Sequence, residues 1–400
     1  MNIIEKIYCR VFQFSFWAAF PLLPYREPEL VENGLEGLPV VIKKENKHHP
    51  LLVTDKGVKK VGLLDKVTSV LDKGNIVYSV YSDVVANPTT DNVEEALVKY
   101  KEEGCDSLIA IGGGSSIDTA KALGARLAKP GKPLSKMKGI LKVRKKIPLL
   151  IAIPTTAGTG SETTLASVIV DKKTRHKYAI NDFPLIPRYA LLDPEMTRSL
   201  PPFLTSTTGM DALTHAVEAY IGKSNHRMTK IEAKIAVKLI INNIERAYKD
   251  GNDMEARAAM LRASYLAGCS FTRSYVGYVH SIAHTLGGKY NIPHGYANAV
   301  ILPLILDAYR PRIDKKLWKL AIAANLCDEL TPIKEGADIF MEKIKGLNNE
   351  FGIPTTFPEI KDEDIPQLSK YAAKEGNPLY PVPKLMNAKE LSVFYNMLKG

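Results

Sequence analysis

Several features are scarce in this 400-residue sequence, and each scarcity excludes something. Its four cysteines (Cys9, Cys105, Cys269 and Cys327) stand far apart and form no CxxC pair. That argues against a disulfide framework and a thiolate zinc site, and points to a reducing, cytoplasmic compartment. An uninterrupted apolar run of about 20 residues, the length that spans a bilayer, is missing. So are the GxGxxG fingerprint, internal repeats and low-complexity tracts. Acidic residues are outnumbered, 43 against 54 Lys and Arg, which leaves a formal charge of +11. The basic residues are nevertheless spread along the chain. The densest run, Lys142 to Lys146, precedes an apolar segment as a solvated loop would. Nucleic acid is therefore not the expected partner, and the positive field suits an anionic dinucleotide.

What is present begins with an apolar segment, residues 3–24, broken by Glu5, Lys6 and Arg10. It lacks the basic start and small-residue cleavage site of a signal peptide. The expectation is an amphipathic helix docked on the protein or on a partner subunit, with a membrane surface as the lesser alternative. From about residue 50, short apolar runs alternate with amphipathic stretches. The runs are 51–53, 76–81, 107–111 and 149–153; residues 58–72, 91–103 and 116–128 between them have helical spacing. Strand–helix alternation predicts a doubly wound, mostly parallel α/β domain. After Pro201-Pro202 the chain reads as successive helices, so an all-α domain follows. The expected division is an extension over 1–30, an α/β dinucleotide-binding domain over 31–205 and a helical metal-binding domain over 206–400.

Two glycine- and hydroxyl-rich turns follow predicted strands, Gly112-Gly113-Gly114-Ser115-Ser116-Ile117-Asp118 and Pro154 to Glu162. Glycines admit a pyrophosphate close to the backbone, and a helix start presents amides to it. Two such turns at the carboxyl ends of neighbouring strands are where open α/β sheets bind ligands. Asp55 ends the first strand. An acid there can accept hydrogen bonds from a ribose and repel a 2′-phosphate, favouring NAD over NADP; the plain alternative is a turn or cap residue.

Histidine is also scarce: eight in all, four of them in two short segments. Asp211 and His215 are spaced i, i+4, as are His280 and His284, so each pair shares a helix face. His294 follows in Asn291-Ile292-Pro293-His294-Gly295. A carboxylate with several imidazoles suits Fe(II), Zn(II) or Co(II). Spacing leaves five candidate ligands open. His48, His49, His176 and His226 carry no such spacing and read as surface or loop residues.

The segments IGGGSSIDTAKA, PTTAGTGSE, GMDALTHAVEAY and GYVHSIAHTLGGKYNIPHGYANAVILP resemble the iron-containing (group III) alcohol dehydrogenases, a family that includes lactaldehyde reductase and butanol dehydrogenase. The resemblance runs over about residues 50–305 and implies a dehydroquinate synthase-like architecture. It implies Asp211, His215, His280 and His294 as ligands of Fe(II), alternatively Zn(II), and His284 as a proton relay beside the nicotinamide. The cofactor residues it implies are Asp55, Asn87, Gly113, Gly114, Ser115, Asp118, Thr155, Thr156, Thr159, Thr164 and Lys177. A small primary alcohol and its aldehyde would be the substrates, and a homodimer or higher homo-oligomer the assembly.

The sequence departs from the family at Phe271-Thr272-Arg273, where Phe-x-Asn is usual. Facing a substrate pocket, Arg273 would favour an anionic or strongly polar tail. It is also the one hint of a rival activity, a metal- and NAD-dependent lyase of the dehydroquinate synthase type. Residues 1–30 lie outside the resemblance.

Overall fold

The computed structural model describes residues 1–173 and 177–400. These form two compact units, Pro24–Leu200, and Pro201–Gly400 together with Met1–Leu23. The division falls beside Pro201-Pro202. The first residues therefore join the helices, while residues 24–30 join the sheet.

In the Pro24–Leu200 unit the strands are β1 (Glu29–Leu30), β2 (Pro50–Asp55), β3 (Ser79–Val84), β4 (Ser107–Gly112), β5 (Gly139–Ile140), β6 (Leu149–Pro154), β7 (Ala166–Val170), β8 (Lys177–Asn181) and β9 (Tyr189–Ala190). Among the described residues, six of them form one parallel sheet in the order β1-β9-β6-β4-β2-β3. The chain's first helix, α1 (Ile3–Ala19), belongs to the other unit. The sheet's helices are α2 (Leu38–Lys44), α3 (Lys56–Lys60), α4 (Leu63–Lys73), α5 (Thr90–Glu102) and α6 (Gly114–Ala128). Parallel neighbours need such crossovers.

Strands β4 and β6 are buried at every position, as central parallel strands covered on both faces should be. Strand alternation sends Leu51, Val53, Leu108, Ala110 and Leu150 to one face, in one core with Val93 and Leu97 of α5 and Ile117 of α6. Leu52, Ile109, Ile111, Ile151 and Ile153 face the opposite way, into a second core with α2 and α4.

Two expected elements shift. The strand foreseen at 76–81 is β3, three residues later: Ile76 is buried in the α2/α4 core and Val77 is exposed, so neither belongs to the ladder. The helix foreseen at 58–72 is two, α3 and α4, interrupted at Gly62, whose φ of +74° is a left-handed conformation that suits glycine. A small second sheet, β5-β8-β7, was not anticipated. Strand β5 has only two residues, and β7 and β8 bury only alternate positions, unlike the central strands that are buried throughout.

The helical unit comprises α1 and α7 (Pro202–Ile221), α8 (Arg227–Lys249), α9 (Met254–Ser274), α10 (Tyr278–Tyr290), α11 (His294–Tyr309), α12 (Asp314–Ala323), α13 (Ile333–Glu350), α14 (Ile365–Gly376) and α15 (Ala388–Leu398). Helix α7 is its axis, buried almost throughout from Thr205 and packed on α8, α9 and α11. At Gly209 a Cβ would lie 2.7 Å from Ile244 and 2.8 Å from Met260, so glycine lets α8 and α9 close on α7. All four cysteines are free.

Candidate metal centre and dinucleotide turns

Helix α7 aligns Asp211, His215 and Glu218 at i, i+4 and i+7, one face of a helix. His280 comes from α10, and His294 is the first residue of α11. Glycine at 295 brings α11 onto α7, for a Cβ there would stand 2.4 Å from the Thr207 carbonyl. One donor atom from each of Asp211, His215, His280 and His294 lies within 4.8 Å of all the others. Asp211 Oδ1 is 3.8 Å from His280 Nε2 and 3.5 Å from His294 Nε2. Tetrahedral donors around an ion with bonds of 2.0–2.2 Å would be roughly 3.3–3.6 Å apart. The cluster is near that spacing, so the donor set fits a divalent cation. Asp211, His215 and His280 are buried, whereas the His294 side chain is 38% exposed. The centre therefore opens on the His294 side.

Asn298 sits among these donors. Its Nδ2 donates to Asp211 Oδ1 at 2.6 Å and lies 3.2 and 3.1 Å from Nε2 of His280 and His294. Three acceptors converging on one small volume call for positive charge there. Burial pushes the Asp211 carboxyl up to about 7 and drives the His280 imidazole well below its ordinary value.

Sequence reading missed Glu218. Its Oε2 is 2.6 Å from His280 Nδ1, and its carboxylate accepts the backbone N–H groups of Gly277 (2.7 Å) and Val279 (2.9 Å). With Nδ1–H donating to it, His280 presents Nε2 as an acceptor toward Asp211. The i+7 spacing from Asp211 was the available signal. Burial pushes the Glu218 carboxyl up to about 8, and a cation held on the far side of His280 would oppose that shift and favour the carboxylate.

His284 stands apart from the four. Its side chain is 42% exposed, and Nδ1 is held 2.6 Å from Glu375 Oε1, which also accepts the Tyr380 hydroxyl at 2.7 Å. The ring stacks on His294 with centroids 5.1 Å apart. Phe271 stacks on the His215 ring at 4.2 Å. Arg273 is buried in an ion pair with Glu232 of α8. Neutralised in this way, it offers an anionic substrate little, and the single hint of a lyase goes with it. His226 is a half-exposed loop residue just before α8, where Trp17 stacks on it at 5.3 Å and Phe20 packs at 5.7 Å. His176 lies outside the described residues.

In the sheet unit, the two glycine-rich turns leave the carboxyl ends of the paired strands β4 and β6, where Gly112 is opposite Pro154. Helix α6 begins at Gly114 without a side-chain cap. Added Cβ atoms at Gly113 and Gly114 would meet Thr156 and Thr159 at 3.4 Å, so the glycines keep a cradle open against the second turn. Uncapped amides and this cradle fit a pyrophosphate. Ser115 is in the first turn of α6, and Thr155 donates its N–H to the Gly112 carbonyl at 3.1 Å. Asp55 caps α3, accepting the Val58 N–H at 2.9 Å, while its Oδ2 is 3.4 Å from the Ser116 hydroxyl. Asp55 is thus the cap residue of the plainer reading, and Oδ2 keeps a lone pair for a further donor. Asn87 Oδ1 accepts Lys177 Nζ at 2.7 Å.

Asp118 and Thr164 serve the scaffold. Asp118 accepts the Ser161 hydroxyl at 2.8 Å and the Val168 N–H at 3.0 Å. Thr164 Oγ1 accepts Lys121 Nζ at 2.8 Å. The Nζ of Lys121, fully buried, also lies 2.6, 2.8 and 2.9 Å from the carbonyls of Ser161, Thr164 and Ala166, so its three N–H bonds are shared among these four acceptors. Burial lowers its ammonium to about 8. It staples the second turn to α6, although by sequence pattern alone it is an ordinary helical lysine.

A nucleotide-type sheet in one unit and a carboxylate–imidazole cluster in the other define a metal-dependent oxidoreductase. Comparison with known proteins narrows the class. Residues 30–194 match the iron-containing alcohol dehydrogenase family and residues 205–397 its C-terminal domain. Alcohol dehydrogenase 4 of Schizosaccharomyces pombe is 39% identical over 348 residues, covering 85% of this chain and 81% of the relative. For 1,3-propanediol dehydrogenase of Citrobacter freundii the figures are 36% over 352 residues, 86% and 90%. A crystal structure of 1,3-propanediol oxidoreductase superposes with a TM-score of 0.87 at 33% identity, over 93% of this chain and 99% of that one. Sulfoacetaldehyde reductase from Bifidobacterium kashiwanohense, solved with NAD+, gives 0.83 at 26% identity, over 94% and 98%. The chain belongs to the iron-containing alcohol dehydrogenase family. The expected fold class and reaction class both stand.

Proposed function

We propose that this enzyme interconverts a small primary alcohol and its aldehyde with NAD, using Asp211, His215, His280 and His294 to hold one divalent cation. The convergence of one carboxylate and three imidazoles from α7, α10 and α11 carries the reading. When bound, the ion supplies Lewis acidity toward the substrate oxygen and the nicotinamide carries the hydride. Asp211 contributes the one negative charge among the four ligands, so the occupied centre keeps a net positive charge. Glu218 holds the His280 ring in the ligating tautomer. His284, oriented by Glu375 and partly exposed, moves the alcohol proton toward solvent. Phe271 walls the His215 side with an apolar surface. In the sheet unit, the amides at the start of α6 and the Thr156 and Thr159 hydroxyls receive the pyrophosphate, and Asp55 the adenosine ribose.

The test is elemental analysis of anaerobically prepared protein, coupled to NAD(H) turnover on a panel of alcohols and aldehydes. One equivalent of Fe or Zn with turnover of a short primary alcohol is expected. Metal-free protein with full turnover would overturn the ligand assignment.

A further inference from the structure

Helix α1 is built the wrong way round for a surface helix. Its inward side is polar: Arg10 donates to the carbonyls of Val382 (2.8 Å) and Pro383 (3.2 Å), and the buried Gln13 amide to those of Pro378 (2.9 Å) and Tyr380 (2.8 Å). Cys9 and Phe20 are buried beside them, and Trp17 stacks on His226. The outward side is apolar. Ile3, Ile4, Ile7, Tyr8, Val11 and Phe14 are 57–75% exposed and fall on one face by helical spacing. Together they present roughly 700 Å², above the ~300–600 Å² of the largest patch on an ordinary monomer. Helix α1 precedes residue 30, where the match to the family begins, so the family's fold does not require it.

The ground beside this face is basic. The segment that α1 touches, residues 222–226, has its Ser224 hydroxyl on the Gln13 carbonyl at 3.3 Å and its Lys223 N–H on the Pro381 carbonyl at 2.7 Å. It leads into the first turn of α8, where Arg227 and Lys230 are exposed on either side of the half-exposed Met228. Arg10 and Arg312 are close enough to depress the Lys223 ammonium, behind the effect of its burial. On α1 the carboxylate of Glu5 is spent on its own helix cap, and Glu390 is paired with the Met1 ammonium. A second copy of the chain would bring the same cations and the same +11 charge against themselves. A surface of anionic phospholipid matches both the apolar face and its basic flank.

We propose that α1 and the Lys223–Lys230 flank form a docking face for an anionic phospholipid bilayer, on which α1 lies in the plane of the interface. Among the described residues no helix is long and apolar enough to cross a membrane, so the contact is peripheral. The experiment is flotation of the full chain with phosphatidylcholine vesicles, with and without phosphatidylglycerol. Binding only to the anionic vesicles, weakening as salt is raised, is expected. Ile7→Asp/Val11→Asp, on exposed positions, should weaken it at least about tenfold while leaving NAD-linked turnover and melting temperature unchanged. Lys223→Glu/Lys230→Glu should weaken it through charge alone. The proposal is overturned if the chain does not float with anionic vesicles at low salt, or if the Ile7→Asp/Val11→Asp protein floats as well as the parent. It is equally overturned if the chain ignores vesicles and self-associates through this face, shown by sedimentation that the same double substitution reduces.

Discussion

Glu218 carries the sharpest prediction, because its role is visible only in three dimensions. The perturbation is Glu218→Gln, which preserves shape and removes charge. In the parent, one carboxylate oxygen meets His280 Nδ1 at 2.6 Å, and the two oxygens accept the N–H groups of Gly277 and Val279. A glutamine has one oxygen for these three donors. If its oxygen stays on the Val279 N–H, its NH₂ takes the place of Oε2, opposes the Gly277 N–H, and drives the His280 proton from Nδ1 to Nε2, the nitrogen aimed at the cation. Losing such an orienting carboxylate lowers metal affinity about 10–100-fold, or ~1.4–2.7 kcal/mol. The backbone bonds set the fold penalty: the buried Gly277 N–H loses its acceptor, so destabilisation should be about 1–3 kcal/mol. The assay is chelator competition against Zn(II) and Fe(II) on apo protein, read beside a thermal melt. Affinity within threefold of the parent, with the melt lowered as foreseen, would refute the orienting role and leave Glu218 a backbone clamp.

Three further outcomes are expected. His280→Ala should lose metal and activity together, whereas His284→Ala should keep the metal by elemental analysis and lose turnover about 100-fold or more; a metal-free His284→Ala protein would place His284 among the ligands. Asp55→Asn keeps an acceptor for the Val58 N–H and removes the charge. It should raise the NADP/NAD ratio of kcat/KM with little change in melting temperature, and an unmoved ratio would deny Asp55 the ribose. Glu162 is buried, which pushes its carboxyl up to about 7 against an ordinary 4.5. The folded state therefore holds the proton more tightly than the unfolded chain, and this group's stabilisation is present below about 4.5 and lost as pH rises through 7. Glu162→Gln should gain up to ~3 kcal/mol relative to the parent between about pH 5 and pH 8; a difference independent of pH would contradict the burial argument.

Much of the fold is legible in the residue pattern. The buried runs at 107–111 and 149–153 are β4 and β6, because a central parallel strand needs apolar residues on both faces. The 76–81 run fails by three residues, since Ile76 is apolar for the sake of a helix-packed core and periodicity cannot say which core an apolar residue enters. The shortest strands stay hidden for want of length. Around the cation, spacing puts Asp211 with His215 and His280 with His284, yet cannot say which of five donors converge. Glu218, Asn298 and Lys121 lie within the family-like segments, but spacing does not name their partners, because His280, Asp211 and Ser161 are 62, 87 and 40 residues away.

The sequence by itself determined which faces exist: i, i+4 pairs on helices, alternating residues on strands, and glycines where a backbone must come close. These follow from local geometry, which repeats every 3.6 or 2 residues whatever the rest of the chain does. Tertiary structure alone decided which faces meet. It turned Arg273 into half of a buried ion pair and made Asp118 and Lys121 the fastening between the two turns. It also left the apolar side of α1 facing outward, because the polar Arg10 and Gln13 found backbone carbonyls near residue 380 and no apolar surface of the described residues came to cover the other side.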